Sequence, residues 1–168
     1  MDDRALLERL TVLEERLRRL EDREDIRRLI CSWGPACDIG DSEAAAALWT
    51  DDGLLVSDMS RLEGPPGVRA MVESDGQQAL ISQGCAHIQG LPVINVTGDE
   101  AVATNYSTVF LHTDGDGYET WRVSGNNWGF RRTADGWRVT HRTAYVIDGG
   151  RDAQGLLARA LEPERSAT

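Results

Sequence analysis

Gly84-Cys85-Ala86-His87-Ile88-Gln89-Gly90 is the stretch around which the rest of this chain can be ordered. Its histidine opens an apolar run, Leu91, Val93, Ile94 and Val96, which stops at Thr97-Gly98-Asp99-Glu100. That pattern places an imidazole at the mouth of a strand spanning about 87–96. Toward the C-terminus three further long strands are expected, roughly 101–112, 118–132 and 137–147. Gly98-Asp99, Asp114-Gly115-Asp116-Gly117 and Ala134-Asp135-Gly136 supply hairpin-turn chemistry between them. The second of these turns also resembles the start of a calcium loop, but Gly125 stands at the twelfth position, where a glutamate is needed.

Toward the N-terminus the pattern becomes helical. Residues 74–83 are polar and read as a loop near a cavity mouth, while Gly64-Pro65-Pro66-Gly67 introduces a short helix through Val68, Met71 and Val72. Thr50-Asp51-Asp52-Gly53 is a turn into a strand at 54–56, and Asp41 or Ser42 can cap an alanine-rich helix reaching Trp49. Ile26, Leu29, Ile30 and Trp33 keep a helical period that Gly34-Pro35 is expected to interrupt. Asp38 follows among Ala36, Cys37 and Ile39, so it is either half buried with a partner or a terminal charge. Leu6, Leu10, Leu13, Leu17 and Leu20 form a 4-3-4-3 seam between Glu and Arg residues, either packed on its own domain or exchanged across an oligomer interface.

Helices followed by a meander predict an α+β fold in which a strongly curved, mostly antiparallel sheet wraps the helices. The chain divides into an arm at 1–21, one domain at 22–148 and a tail at 149–168. That tail holds a possible helix around 156–161, which could cover the open end. At 168 residues and 40% apolar content, one buried core is expected.

The formal charge of 18 minus 28, or −10, with no basic stripe, disfavours nucleic acid and anionic membrane surfaces as partners. Cys31, Cys37 and Cys85 follow no ligand spacing and read as free thiols in a reducing, cytoplasmic compartment. The N-terminus lacks the apolar segment of a signal peptide, and no run suits a membrane span. The chain has no lysine, which removes Schiff-base chemistry and lysine-anchored pyridoxal phosphate.

Alternate positions share a strand face, so Val102, Thr104, Tyr106, Thr108, Phe110 and His112 fall on one side, and Arg122, Ser124, Asn126, Trp128 and Phe130 on one side of the next strand. Both mix large apolar groups with a few polar ones and are expected to line a small-molecule pocket. Each polar residue could equally be an ordinary hydrogen-bonded side chain.

Taken in order, Trp33 and Asp38, Cys85 to Gly90, Gly98-Asp99-Glu100, His112, Ser124-Gly125-Asn126 and Asp135-Gly136-Trp137 resemble the NTF2-like superfamily in its SnoaL-like, scytalone dehydratase-like branch, over about residues 22–148. The resemblance implies a cone-shaped α+β barrel whose curved sheet closes on three helices around one deep pocket. It implies a catalytic dyad of Asp38 and His87, with His112, Ser124 and Asn126 as pocket hydrogen-bonding groups and Trp33 as an aromatic wall. Cys37 and Ser57 stand where scytalone dehydratase has two tyrosines, so scytalone is not the expected substrate.

On this reading His87 is a base beside a substrate carbonyl, since imidazoles titrate near neutral pH, and Asp38 fixes its tautomer. Asn126 and Ser124 serve the enolate, and His112 protonates a departing hydroxyl. Trp33, Cys37, Ser57, Tyr106, Phe110, Ser124 and Trp128 are the expected substrate contacts. No cofactor or metal is expected, although two histidines and an acid could form a facial triad for iron. The expected activity is a dehydratase or isomerase acting on an aromatic, polyketide or terpenoid-like carbonyl compound, in a homo-oligomer (dimer or trimer). A polyketide cyclase and a non-catalytic binding protein are the alternatives.

Overall fold

Buried Ile26, Ile30, Trp33 and Cys37 share one face of a single long helix, α1 (Asp3–Asp38), in the computed structural model, which describes residues 3–115 and 117–162. The helix continues through Gly34-Pro35, contrary to the expected interruption. Pro35 removes one backbone donor, but Trp33, Gly34, Ala36 and Cys37 are all buried around it, and that packing holds the last turn. Met1, Asp2, Asp116 and residues 163–168, which include parts of the arm, the 114–117 turn and the tail, lie outside the described residues.

Two short helices follow the first, α2 (Ser42–Ala47) and α3 (Gly64–Val72). Asp41 caps α2 by accepting from the Ala44 N–H at 2.9 Å. A third, α4 (Asp75–Gln83), occupies the polar segment expected to be a loop. Ser74 caps it through the Gln77 N–H, and Gln77 is its one buried residue, so little apolar periodicity marks it in the sequence. A last helix, α5 (Arg151–Ala158), buries Ala153 and Leu156. It lies against the Gly125 side of the sheet, where a Cβ on Gly125 would meet Leu157 Cγ at 3.0 Å, rather than across the open end.

The strands are β1 (Trp49–Ser57), β2 (Arg61–Glu63), β3 (Cys85–Gln89), β4 (Val93–Thr97), β5 (Glu100–Thr113), β6 (Gly117–Thr133) and β7 (Gly136–Val146). The expected strand at 87–96 is therefore two, divided at Gly90-Leu91-Pro92, and both pair with β5. The order is β2-β1-β7-β6-β5-β3, antiparallel except for β1 against β7, in a curved sheet that does not close. The fold is α+β, with α1, α2 and α3 packed against the sheet. Ile26, Ile30, Val68, Val72, Trp128 and Val139 form the centre of the core, each contributing about 1.5–3 kcal/mol by leaving water.

Asp22 marks the start of the packed part of α1. Its carboxylate accepts from Arg132 Nη2 at 2.7 Å and Trp137 Nε1 at 3.0 Å, and Arg132 lies over the Trp137 ring. The Asp135-Gly136-Trp137 turn thereby ties the β6–β7 hairpin to the helix. No helix is long and apolar enough to cross a membrane among the described residues.

Candidate active site

The site begins where α1 crosses β3. A Cβ on Gly34 would stand 2.1 Å from the His87 carbonyl oxygen, so only glycine allows the two backbones to approach this closely. One helical turn later Asp38 reaches the same strand. Its Oδ2 accepts from the His87 backbone N–H at 2.8 Å, and its Oδ1 lies 2.5 Å from His87 Nδ1. Cys85, two residues before His87 on the same strand face, donates its thiol to Oδ1 at 3.3 Å.

These contacts assign protons. Burial works to raise the Asp38 pKa, but the hydrogen bonds from the His87 ring and backbone, the His87 charge and the Cys85 thiol outweigh it and hold the carboxyl below its ordinary value. An ionised Asp38 needs a donor at Nδ1, which leaves Nε2 as the basic ring nitrogen. Nε2 has no hydrogen-bond partner among the described residues. Burial and the neighbouring carboxylate push the Cys85 thiol up to about 11, and burial pushes Cys37 up to about 12, so both stay protonated at neutral pH.

His87 forms part of the wall of a cavity of about 400 Å³ between α1, α4 and the inner face of the sheet. The same wall includes an unexpected cation, Arg142. It is 7% exposed, with its guanidinium 4.4 Å from the Trp128 ring centroid and 5.2 Å from that of Trp33. Nε and Nη2 both donate to Asn126 Oδ1, at 3.1 and 2.8 Å. No carboxylate pairs with Arg142 among the described residues. Burial lowers its pKa to about 10, with Arg122 adding to the effect and Cys37 opposing it, so the group remains cationic at neutral pH. Arg122, by contrast, is neutralised by Asp58 through both nitrogens of its fork and donates Nε to Ser124 Oγ at 2.9 Å.

Of the residues singled out in the sequence, Trp33, Cys37, Ser57, His87 and Ser124 line this cavity. Asp38 stands behind His87. Asn126 is fully buried and occupied: its Nδ2 donates to Ser107 Oγ at 2.9 Å and its Oδ1 holds Arg142, so it orients those groups rather than facing a substrate. Trp128 lies under Arg142 with its Nε1 on Asn105.

Tyr106, Phe110 and His112 need correction. The inward face of β5 is Ala101, Ala103, Asn105, Ser107, Val109 and Leu111, all buried, whereas Tyr106 is 56% exposed on the other face. His112 lies edge-on to Tyr118 at 5.3 Å between centroids and is absent from the cavity wall. Alternation read from the large residues selects the outward face of β5, whose parity is opposite to that of buried Ser107, Val109 and Leu111. Ser107, Gln77 and Arg142 were missed as cavity residues, whereas Arg122 falls on the expected pocket-lining face of its strand and does line the cavity. Register would have revealed the first, since Ser107 opposes Gln89 and Ser124, but a bulge hides Arg142.

The separation of His112 from His87 also removes the two-histidine facial triad. Among the described residues, the groups that do converge are Asp38, Cys85 and His87, whose ligand atoms lie within 4.8 Å of one another. They could hold a thiophilic cation only by giving up the hydrogen bonds that now join them.

A SnoaL-like domain model matches residues 18–143. The chain is similar to an NTF2-like protein with a cystatin-like fold from Novosphingobium aromaticivorans, at 41% identity over 88% of this chain and 96% of that one, with a TM-score of 0.85. At 21% identity a protein of unknown function from Mycobacterium tuberculosis shares the fold, with a TM-score of 0.69 over 89% and 91% of the two chains. So does a hexachlorocyclohexane dehydrochlorinase, LinA-type3, from Novosphingobium barchaimii, at 16% identity, a TM-score of 0.66 and coverage of 77% and 89%. Among curated proteins none matches the sequence.

Proposed function

This chain belongs to the SnoaL-like family of NTF2-like proteins, and from that premise we propose that it is a cofactor-free lyase or isomerase acting on a small, hydroxylated carbonyl compound. The observation that carries the reading is the Asp38–His87 pair at the cavity wall, with Nδ1 tied to the carboxylate and Nε2 left as the base.

His87 Nε2 takes a proton from the carbon next to the substrate carbonyl, and the C–H electron pair moves into an enolate. Asp38 stabilises the imidazolium that forms, an arrangement worth about 10²- to 10⁴-fold in rate. Arg142 is the donor suited to the enolate oxygen, because a buried cation without a carboxylate partner acts in low dielectric. The Ser107 and Ser124 hydroxyls, each accepting from a neighbour, have their own protons to offer. If the next carbon bears a hydroxyl, the enolate pair expels it and the imidazolium returns its proton, giving an alkene and water. If that carbon is instead joined to the one after it by a double bond, the dienolate takes the proton back at the far carbon and the double bond moves into conjugation with the carbonyl.

The cavity's apolar wall of Trp33, Leu55, Val109 and Trp121 favours an aromatic, polyketide or terpenoid-like ring. The test is to incubate the protein and its His87→Ala variant with small-molecule extracts of the source cells and compare masses. A compound consumed only by the wild type, with a product lighter by one water or of equal mass, supports the reading. Identical extracts from both proteins overturn it.

A further inference from the structure

The first nineteen described residues of α1 are exposed on every side, while the first buried position is Asp22. They form an arm about 28 Å long. An isolated helix of that length is marginal in water, and a row of five leucines along it is unfavourable unless something covers them. Leu6, Leu10, Leu13, Leu17 and Leu20 are each between 44% and 62% exposed.

Nothing among the described residues of the arm's own domain covers them. At about 100° per residue, the leucine seam lies roughly 160° around the helix from the face formed by Asp22, Ile26, Ile30, Trp33 and Cys37. Because α1 is one continuous helix, that seam points away from the body of the molecule.

Flanking charges identify the occupant. With leucines at the a and d positions, Arg9 and Arg16 fall at g, and Glu14 and Glu21 fall at e. Each arginine precedes a glutamate by five residues, the offset that joins g of one strand to e of the next heptad in a parallel partner. The same helix supplies both signs, so it is complementary to itself. An antiparallel copy would set arginine against arginine and glutamate against glutamate. We propose that the arm is one strand of a parallel, in-register coiled coil with the arm of a second copy of this chain. The two domains then lie on the outer sides of the coil, where their α1 faces already point.

Cysteine cross-linking in the full chain tests orientation and partner together. In a Cys31→Ser background, Leu6→Cys is expected to oxidise almost completely to a covalent dimer, and Leu20→Cys likewise. Val12→Cys, at the outward c position, is expected to cross-link at least about tenfold more slowly. An Arg9→Glu/Arg16→Glu protein carrying Leu6→Cys should cross-link poorly with itself, and readily with one carrying Glu14→Arg/Glu21→Arg and Leu6→Cys. The proposal is overturned if Leu6→Cys reacts no faster than Val12→Cys, or if Leu6→Cys couples preferentially to Leu20→Cys. A ceiling at two thirds of the chains, the mark of three strands, overturns the pair as well.

Discussion

A Cβ added to Gly34 would stand 2.1 Å from the carbonyl oxygen of His87, so the helix carrying Asp38 and the strand carrying His87 meet backbone to backbone. In an exposed helix interior, Gly→Ala would stabilise by about 1 kcal/mol. Here Gly34→Ala has to push β3 away from α1, and a net destabilisation of at least about 2 kcal/mol is expected, with loss of the 2.5 Å Asp38–His87 contact. Urea unfolding measures the first effect. A variant more stable than the wild type would mean that the two elements are not held this tightly.

The same pair shows how far the sequence could be read. The fold class followed from strand periodicity and turn chemistry, which are local; Asp38 and His87 each stood out as a polar group among apolar neighbours, while their pairing rested on the resemblance to the family. What failed was parity. Alternation was carried along β5 on the large residues, yet Ala101, Ala103, Ser107 and Val109 face inward. On β7 a register shift sits between the pairs Gly129–His141 and Phe130–Val139, leaving Thr140 as an extra residue. Counting inward from Trp137 and Val139 would therefore select His141, whereas Arg142 is the residue that turns in. Bulges depend on the partner strand, and a single sequence does not display them.

Acid should unfold this protein through identifiable carboxylates. Burial works to raise Asp22, but Arg132 and Trp137 hold it below its ordinary value, and Asp38 is held low by His87 despite its burial. A carboxyl with a lowered folded pKa binds fewer protons folded than unfolded. Its stabilisation is complete above the unfolded value of about 3.9 and disappears as pH falls through the folded value. Urea midpoints measured from pH 6 to pH 2 should fall steeply below about pH 4 in the wild type. Asp22→Asn should lower the midpoint at pH 6 and flatten that slope. An unchanged slope would mean that Asp22 does not link protonation to folding.

The three thiols should react unequally. Cys31 is exposed, whereas Cys37 is pushed up to about 12 by burial and Cys85 up to about 11 by burial and the Asp38 carboxylate. Because the thiolate is the nucleophile, a disulfide reagent at pH 8 should label one equivalent quickly and the other two only on unfolding. Peptide mapping should place the fast label on Cys31. Rapid labelling of Cys85 in the folded protein would count against the hydrogen bond to Asp38.

Arg142→Met separates catalytic from structural contributions. A base whose folded pKa, about 10, lies below its ordinary 12.5 destabilises the fold while charged, here by on the order of 3 kcal/mol; that cost is fully present below pH 10 and fades between there and the ordinary value. Methionine of similar length removes the cost but strands Asn126 Oδ1, which loses both donors, at about 1–3 kcal/mol. The two effects oppose, so stability is expected to stay within about 2 kcal/mol of the wild type. Turnover of the substrate recovered from extracts should fall by at least about 10²-fold, since no other unpaired cation reaches that oxygen from the described wall. Arg142→Lys keeps the charge but not the planar fork between Trp33 and Trp128, and should restore only part of the rate. Full activity in Arg142→Met would remove the cation from the reaction. A loss of several kcal/mol in stability would instead make Arg142 a structural element of the β6–β7 pair.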